Sequence, residues 1–308
     1  MQLPFRLGSR GSPLALIQAR SVASALCAAH SWSEDAVVIV PIRTSGDKNR
    51  HQALADIGGK ALWTKELDIA LTTGQIDAAV HSMKDVETFR PSHISIAAML
   101  PREDVHDRLI GIPSLEVLPY SGCVGTASPR RAAQIRRIRP DIEIKLLRGN
   151  IDTRLEKLAN KQFDATLLAA AGLIRLGRND VGYDVPLDQM LPAAGQGAIG
   201  IEALADSAAW EKVSIIDHYP THLAVQSERQ LLLRLNADCH SPIAVFAEIL
   251  EKNIRLRAYL YTENGKFSAS IDKEISQPSD AFEVGSLLLN QSPPEVQALF
   301  LPRVLSER

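Results

Sequence analysis

Aromatic side chains are scarce: Phe, Trp and Tyr together make up 5% of the 308 residues, so any core must be largely aliphatic. Cysteine is scarcer still. Cys27, Cys123 and Cys239 are odd in number, far apart and outside any C-x-x-C, which excludes a disulfide framework and points to a reducing compartment. In such a compartment the Asn290-Gln291-Ser292 sequon carries no meaning. No run of eighteen apolar residues occurs, which leaves no candidate membrane-spanning helix. The stretch Met1 to Gly8 lacks the apolar core of a secretory signal, so a cytoplasmic location is expected. Neither sign of charge prevails: 34 basic and 36 acidic residues give a formal net charge of −2, which argues against a broad basic face for nucleic acid. No low-complexity segment and no repeat of short period occurs. His218 and His222 have a metal-like spacing, but Pro220 between them disfavours a regular helical ligand pair, and no catalytic metal is expected.

Positive charge is instead placed locally. Gly125-Thr126-Ala127-Ser128-Pro129-Arg130-Arg131 and Arg148-Gly149-Asn150-Ile151-Asp152-Thr153-Arg154 each put arginine where small residues hand over to helix-like sequence. A helix N-terminus offers unpaired backbone N–H groups and the positive end of a dipole. Guanidinium adds a fixed fork of donors matched to a carboxylate or phosphate. The chain therefore carries anion sites, and more than one.

The first two-thirds alternates strand-like and helix-like segments. Strands are expected at 5–8, 36–42, 76–80, 94–99, 108–112, 142–147 and 165–168, and helices at 12–29, 62–71, from Pro129 onward, at 151–160 and through Leu176. This alternation predicts α/β layers with sheets at least partly parallel. A second unit begins near Pro101 and ends near Pro192. The last third differs: a helix at 223–235, antiparallel strands at 243–250, 254–261 and 266–271 with turns at Asn253 and Glu263-Asn264-Gly265, and a helix at 281–289 predict a small α+β domain from about Asp217.

Several motifs join the two arginine clusters. Arg10-Gly11-Ser12-Pro13 places a cation and a hydroxyl at a strand-to-helix junction, where a plainer reading is a serine N-cap. His81-Ser82-Met83-Lys84-Asp85-Val86 follows a strand, where ligands of α/β sheets collect; the plainer reading of Lys84 beside Asp85 is an exposed ion pair. Gly58-Gly59-Lys60 suggests a mobile loop with Lys60 able to reach a ligand, or an ordinary turn. Arg175 is one more anion contact or a surface arginine. Cys239 lies among polar, turn-forming residues, Asn236-Ala237-Asp238-Cys239-His240-Ser241-Pro242. A thiol there is a nucleophile or an attachment point rather than a buried small hydrophobe. Two motifs mislead. Gly195-Gln196-Gly197-Ala198-Ile199-Gly200 fits G-x-G-x-x-G but lacks a strand before it and a helix after it. Ser45-Gly46-Asp47-Lys48 fits S-x-x-K without the partner motifs of a penicillin-type serine enzyme.

Taken in order, these residues resemble the porphobilinogen deaminase (hydroxymethylbilane synthase) family over nearly the whole chain. The match runs through Arg10-Gly11-Ser12, Gly58-Gly59-Lys60, Lys65-Glu66-Leu67 and Ala79-Val80-His81-Ser82-Met83-Lys84-Asp85. It continues through Gly125-Thr126, Arg130-Arg131, Arg148-Gly149-Asn150, Thr153-Arg154-Leu155, Ala171-Gly172-Leu173, Gly195-Gln196-Gly197-Ala198, Leu235-Asn236 and Cys239. The resemblance implies a transferase of porphyrin and haem synthesis that joins four porphobilinogen molecules head to tail on a covalent dipyrromethane primer. Ammonia leaves at each step, and water then releases hydroxymethylbilane. It implies an α/β fold of three domains, two like the lobes of periplasmic binding proteins with mixed sheets and a small α+β C-terminal domain. Joined to the chain reading, this gives 1–100 plus 196–216 as a discontinuous first lobe, 101–195 as the second, and 217–308 as the cofactor-attachment domain.

By the resemblance Asp85 is the catalytic group, stabilising positive charge on pyrrole nitrogen and shuttling a proton. Cys239 forms the thioether to dipyrromethane; Lys84, Ser128, Arg130, Arg131 and Arg148 bind the cofactor. Arg10, Ser12, Arg148, Arg154 and Arg175 bind substrate, and Lys60 belongs to a lid. Each porphobilinogen brings two carboxylates, which accounts for so many cations without a basic protein. A small-molecule substrate, no nucleic acid, no membrane and a monomer are expected. Ala237 and Asp238 stand where many members have glycines, Pro129 where a leucine is usual, Glu87 where a proline is common and Trp63 where a phenylalanine is common. Two other classes compete: a two-lobed anion receptor without catalysis, and a nicotinamide dehydrogenase resting on the glycine motif alone.

Overall fold

The computed structural model describes residues 4–43 and 64–300. They form two compact units. The first comprises the described residues within 4–105, 169–181 and 195–222, and the second 106–168, 182–194 and 223–300.

The first unit holds a five-stranded mixed sheet. Its strands are β1 (Phe5–Arg10), β2 (Val37–Ile42), β3 (Ala78–Ser82), β4 (Ile94–Met99) and β10 (Ile199–Leu204), in the order β2-β1-β3-β10-β4. β1 runs parallel to β2 and β3, whereas β10 runs antiparallel to β3 and β4. β10 thus returns from far along the chain to a central position. Helix α1 (Pro13–His30) covers one face of this sheet. It forms because an Ala- and Leu-rich stretch is capped by Ser12, which accepts from the Ala15 N–H, and Pro13 occupies its first turn. Ser31 ends it in the left-handed conformation, φ 55°. Val22 and Leu26 of α1 pack with Leu7, Val80 and Ile201 in an aliphatic core. Helix α2 (Lys65–Thr72) lays Leu67, Ala70 and Leu71 on a second cluster with Ile42, Ile76 and Ile94.

The second unit holds another mixed sheet and a three-stranded antiparallel one. Strands β5 (Asp107–Ile110), β6 (Cys123–Gly125), β7 (Glu143–Lys145), β8 (Ala165–Ala169) and β9 (Tyr183–Asp184) are ordered β7-β6-β8-β5-β9. β6 is parallel to β7 and β8, and β5 is antiparallel to β9. Helices α3 (Pro129–Ile138) and α4 (Ile151–Ala159) lie in the same stretch of chain; α5 (Ala170–Arg175), which follows β8 directly, belongs to the first unit. Leu109, Val124, Ile135 and Leu167 make the core here. The third sheet, β11 (Ile243–Ile249), β12 (Ile254–Tyr261) and β13 (Ser268–Ile275), alternates cleanly on β12, whose Ile254, Leu256, Ala258 and Leu260 face a core. That core is closed by helices α7 (Tyr219–Arg234), α8 (Asp280–Asn290) and α9 (Pro294–Phe300) through Leu231, Leu235, Val284 and Leu288.

Most expected elements are present within a few residues of their predicted bounds. Four short elements are not among those expected, β6, β9, α6 (Ala208–Ser214) and α9, each carrying too few residues for a periodic signal. Helix α7 begins at Tyr219 rather than at 223, so Pro220 lies in its first turn, where a missing N–H costs nothing. Strand β13 extends to Ile275 because its backbone pairs with β12 as far as Ile254 and it buries Ile271 and Ile275, while Asp272 meets Arg255 at 2.6 Å on the exposed face. Among the described residues no helix is long and apolar enough to cross a membrane.

Candidate active site

In the first unit, parallel pairing brings the carboxyl ends of β1 and β3 side by side. Arg10 ends β1, Ser12 caps α1, and Met83–Asp85 form a tight turn directly after β3. A pocket of about 60 Å³ opens there, lined among others by Arg10, Ser12, Gln18, His81 and Asp85. Two motifs far apart in sequence, each individually open to a plain reading, therefore meet around one cavity. Ser12 does serve as an N-cap, and it also lines this cavity. The Gln18 amide donates to the Ser82 hydroxyl at 2.8 Å and closes the cavity wall. Lys84 and Asp85 are both half-buried in the turn.

Beneath the cavity lies a polar network. His81 meets the fully buried Glu202 at 3.2 Å, and Arg90 grips Glu202 with Nε at 2.9 Å and Nη2 at 2.7 Å. Arg90 also donates to Asp68 and to Glu87, which takes the Thr64 hydroxyl at 2.6 Å. Burial alone would raise the Glu202 pKa. The His81 hydrogen bond and charge, with those of Arg90, outweigh it and bring the carboxyl down to about 2. Glu87 thus adds a third carboxylate to Arg90 where a proline would add none.

Arg175, at the end of α5, is half-buried, and its Nη2 donates to the Gly197 carbonyl at 2.6 Å. Desolvation lowers its pKa against the pull of Glu103. The glycine motif at 195–200 is explained by these contacts. Gly195 and Gly197 have φ of +68° and +84°, and a Cβ on Gly197 would stand 2.3 Å from the Glu103 carbonyl oxygen. Gln196 accepts from Arg102 Nε at 2.9 Å and donates to the Val105 carbonyl at 2.7 Å. The segment then enters strand β10, not a helix, so the dinucleotide pattern is a close-packed backbone strap.

In the second unit both arginine clusters stand at helix N-termini. Ser128 caps α3 by accepting from the Arg131 N–H, with Pro129 in the first turn, and Asn150 caps α4 by accepting from the Thr153 N–H at 2.9 Å. The leucine-to-proline departure at Pro129 therefore costs the helix nothing. Arg130 and Arg131 are almost buried, their Nη2 atoms each 2.7 Å from one carboxylate, Asp107. Arg130 Nη1 donates to the Leu191 carbonyl at 2.6 Å and Arg131 Nη1 to the Leu167 carbonyl at 2.9 Å. Burial pushes the Asp107 carboxyl up, but the two guanidiniums override it and hold it well below the usual range. The Nε of each arginine is buried with no hydrogen-bond partner among the described residues. Arg148 is half-buried just ahead of the Asn150 cap, and Arg154 folds back so that its Nε donates to the Gly149 carbonyl at 2.8 Å. Cys239 is exposed at the tip of the loop between α7 and β11.

Lys60, with Gly58, Gly59 and Trp63, lies outside the described residues. His222 is held by Asp217 at 2.8 Å and His218 by Thr221 at 2.8 Å, and among the described residues no group of His, Cys, Asp and Glu is arranged to hold a metal ion. Sequence reasoning missed Asp107, Glu202, Arg90 and Gln18. Asp107, Glu202 and Gln18 are buried and Arg90 is half-buried, and their main partners are remote in sequence, so no local pattern announces them.

A mixed α/β frame with arginines beside the N-termini of two helices and a carboxylate in a turn beyond parallel strands suits an enzyme that handles a polyanion. Family comparison makes this specific. Residues 5–212 match the family model described as porphobilinogen deaminase, dipyromethane cofactor binding domain, and residues 222–291 match that of the porphobilinogen deaminase C-terminal domain. The porphobilinogen deaminase of Sphingopyxis alaskensis is 49% identical over 304 residues, 96% of each chain. That of Nitrobacter hamburgensis is 43% identical over 284 residues, 91% of this chain and 90% of the other. A Salmonella typhimurium periplasmic binding protein aligns in structure at 12% identity and a TM-score of 0.40, covering 71% of this chain and 94% of that one. The chain belongs to the porphobilinogen deaminase family, and is a transferase of tetrapyrrole synthesis whose family cofactor is dipyrromethane.

The residues present fit that cofactor. Its acidic side groups would need donors of the carboxylate-binding kind, and the two guanidiniums at the N-terminus of α3 are of that kind, each with a buried Nε left unpartnered among the described residues. A thioether needs an accessible thiol, and Cys239 is exposed.

Proposed function

We propose that Cys239 carries the dipyrromethane, that Lys84, Ser128, Arg130, Arg131 and Arg148 hold its carboxylates, and that Arg10, Ser12, Arg148, Arg154 and Arg175 bind the carboxylates of incoming porphobilinogen. When bound, the cofactor supplies the pyrrole carbon that accepts the first unit. The protein's own part is positioning and charge. Arg10, with Ser12 at the positive end of α1, binds a carboxylate in the first-unit pocket and turns the substrate's amine and pyrrole N–H toward Asp85. Asp85, fixed in its turn, is the catalytic carboxylate: it stabilises positive charge on pyrrole nitrogen as ammonia leaves and takes up the proton shed when the new bond forms. In the second unit Asp107 offsets one of two adjacent positive charges, so that Arg130 and Arg131 share one location without full mutual repulsion.

The observation that carries this reading is the convergence of Arg10, Ser12 and Asp85 on one cavity. The same proposal treats 1–100 with 196–216, 101–195 and 217–308 as three domains, which the three separate sheets support. It makes the protein a cytoplasmic monomer acting on a small molecule, without nucleic acid. The purified chain mixed with porphobilinogen should release one ammonia for each substrate consumed. Binding of porphobilinogen with no ammonia released would favour the two-lobed anion receptor.

A further inference from the structure

The loop bearing Cys239 is short and anchored at both ends. Ala237, only 1% exposed, donates its N–H to the Leu232 carbonyl at 3.0 Å, and Pro242 is buried before β11, so the tip between them is fixed at both ends. Asp238 organises that tip. Its Oδ1 accepts the His240 N–H at 2.8 Å, spanning Cys239, while its own N–H donates to the Ser241 hydroxyl at 3.1 Å. The Ser241 N–H returns to the Asp238 carbonyl at 3.1 Å. These three bonds enclose Cys239 in a closed turn.

We infer that Asp238 is a positioning residue for cofactor attachment: its carboxylate oxygen, by holding the His240 N–H, fixes the turn that presents the Cys239 sulfur. This inference rests on Cys239 being the attachment point. A glycine at this position would leave the loop with no side-chain tie. Its negative charge would by itself oppose an acidic pyrrole, so its presence is accounted for by the hydrogen bond it accepts. In the attachment step the sulfur bonds to the aminomethyl carbon of porphobilinogen, the carbon–nitrogen bond breaks, and the thiol proton departs with the amine as ammonia. No oxidant or reductant is needed.

The test uses the full chain produced in cells that make no porphobilinogen, mixed with porphobilinogen and followed by intact mass. Asp238→Ala should gain covalent mass about fivefold more slowly than wild type, the weight of one net hydrogen bond. Asp238→Asn keeps the acceptor oxygen without the charge and should load within about twofold of wild type. Loading of Asp238→Ala at the wild-type rate would overturn the inference. So would a change beyond about twofold in either direction for Asp238→Asn, which would assign the effect to charge. Wild-type protein that gains no mass at Cys239 would instead refute the attachment point itself, and the two failures are told apart by the wild-type trace alone.

Discussion

Replacing Asp85 by Asn should lower kcat at least about 100-fold while porphobilinogen still binds. The substitution keeps size, and it keeps an oxygen able to accept a pyrrole N–H. What it removes is the charge that offsets positive nitrogen, and the ability to hold a proton. Arg10 and Ser12, which share the cavity with Asp85, are untouched, so the anion contacts that set binding survive. The effect should therefore fall on kcat rather than on KM. Asp85→Glu retains charge at a shifted position and should recover part of the loss. Steady-state ammonia release, with equilibrium binding measured on the same preparations, separates these terms. Turnover of Asp85→Asn within about twofold of wild type would remove Asp85 from the chemistry.

The second large effect is on stability. Asp107→Asn should destabilise the protein by about 3 kcal/mol or more, because two buried guanidiniums lose the one carboxylate they share. Both are largely shielded from water, Arg130 and Arg131 being 4% and 6% exposed. The pH dependence has a definite sign. The Asp107 carboxyl is held below its ordinary value in the folded chain, so its contribution is complete above the ordinary carboxylate range and declines as acid protonates the unfolded chain while the native carboxyl stays ionised. Asp107→Asn should accordingly lose less stability than wild type on passing from neutral to acid solution. A companion change, Arg131→Met, should cost much less in the Asp107→Asn background than alone, because it removes a charge already left unpaired. Urea unfolding of the four variants supplies the cycle. Additive costs, or a loss from Asp107→Asn below about 1 kcal/mol, would show that the cluster is not the buried triad described.

Much of the frame was legible because its signals are local. The alternation of apolar strands with capped helices, Ser12-Pro13 before α1 and Ser128-Pro129 before α3, follows from short-range rules that tertiary packing then obeys. The arginines at helix starts, Asp85 after β3 and the loop cysteine were readable for the same reason. What was not readable depends on contacts across the chain. Glu202 reads as one charge in an apolar strand until β10 pairs with β3 and sets it against His81 and Arg90. Asp107 is one of several acids in a polar stretch until two guanidiniums from α3 reach it. Arg175 reads as a surface residue because its acceptor, the Gly197 carbonyl, is a backbone atom with no side-chain signature. The charged end of β13 was not readable because it is held by backbone pairing with β12 across a turn, which its own charged residues do not signal.

The central claim is that a pyrrole primer tethered through Cys239 is held by buried and cap-presented arginine while one carboxylate attends its chemistry. Intact mass spectrometry of freshly purified, active protein beside Cys239→Ser tests it most directly. The active protein should be heavier than its sequence by one dipyrrole unit, and the serine variant should have the bare mass and no turnover. An active protein whose mass equals that of its sequence would contradict the account.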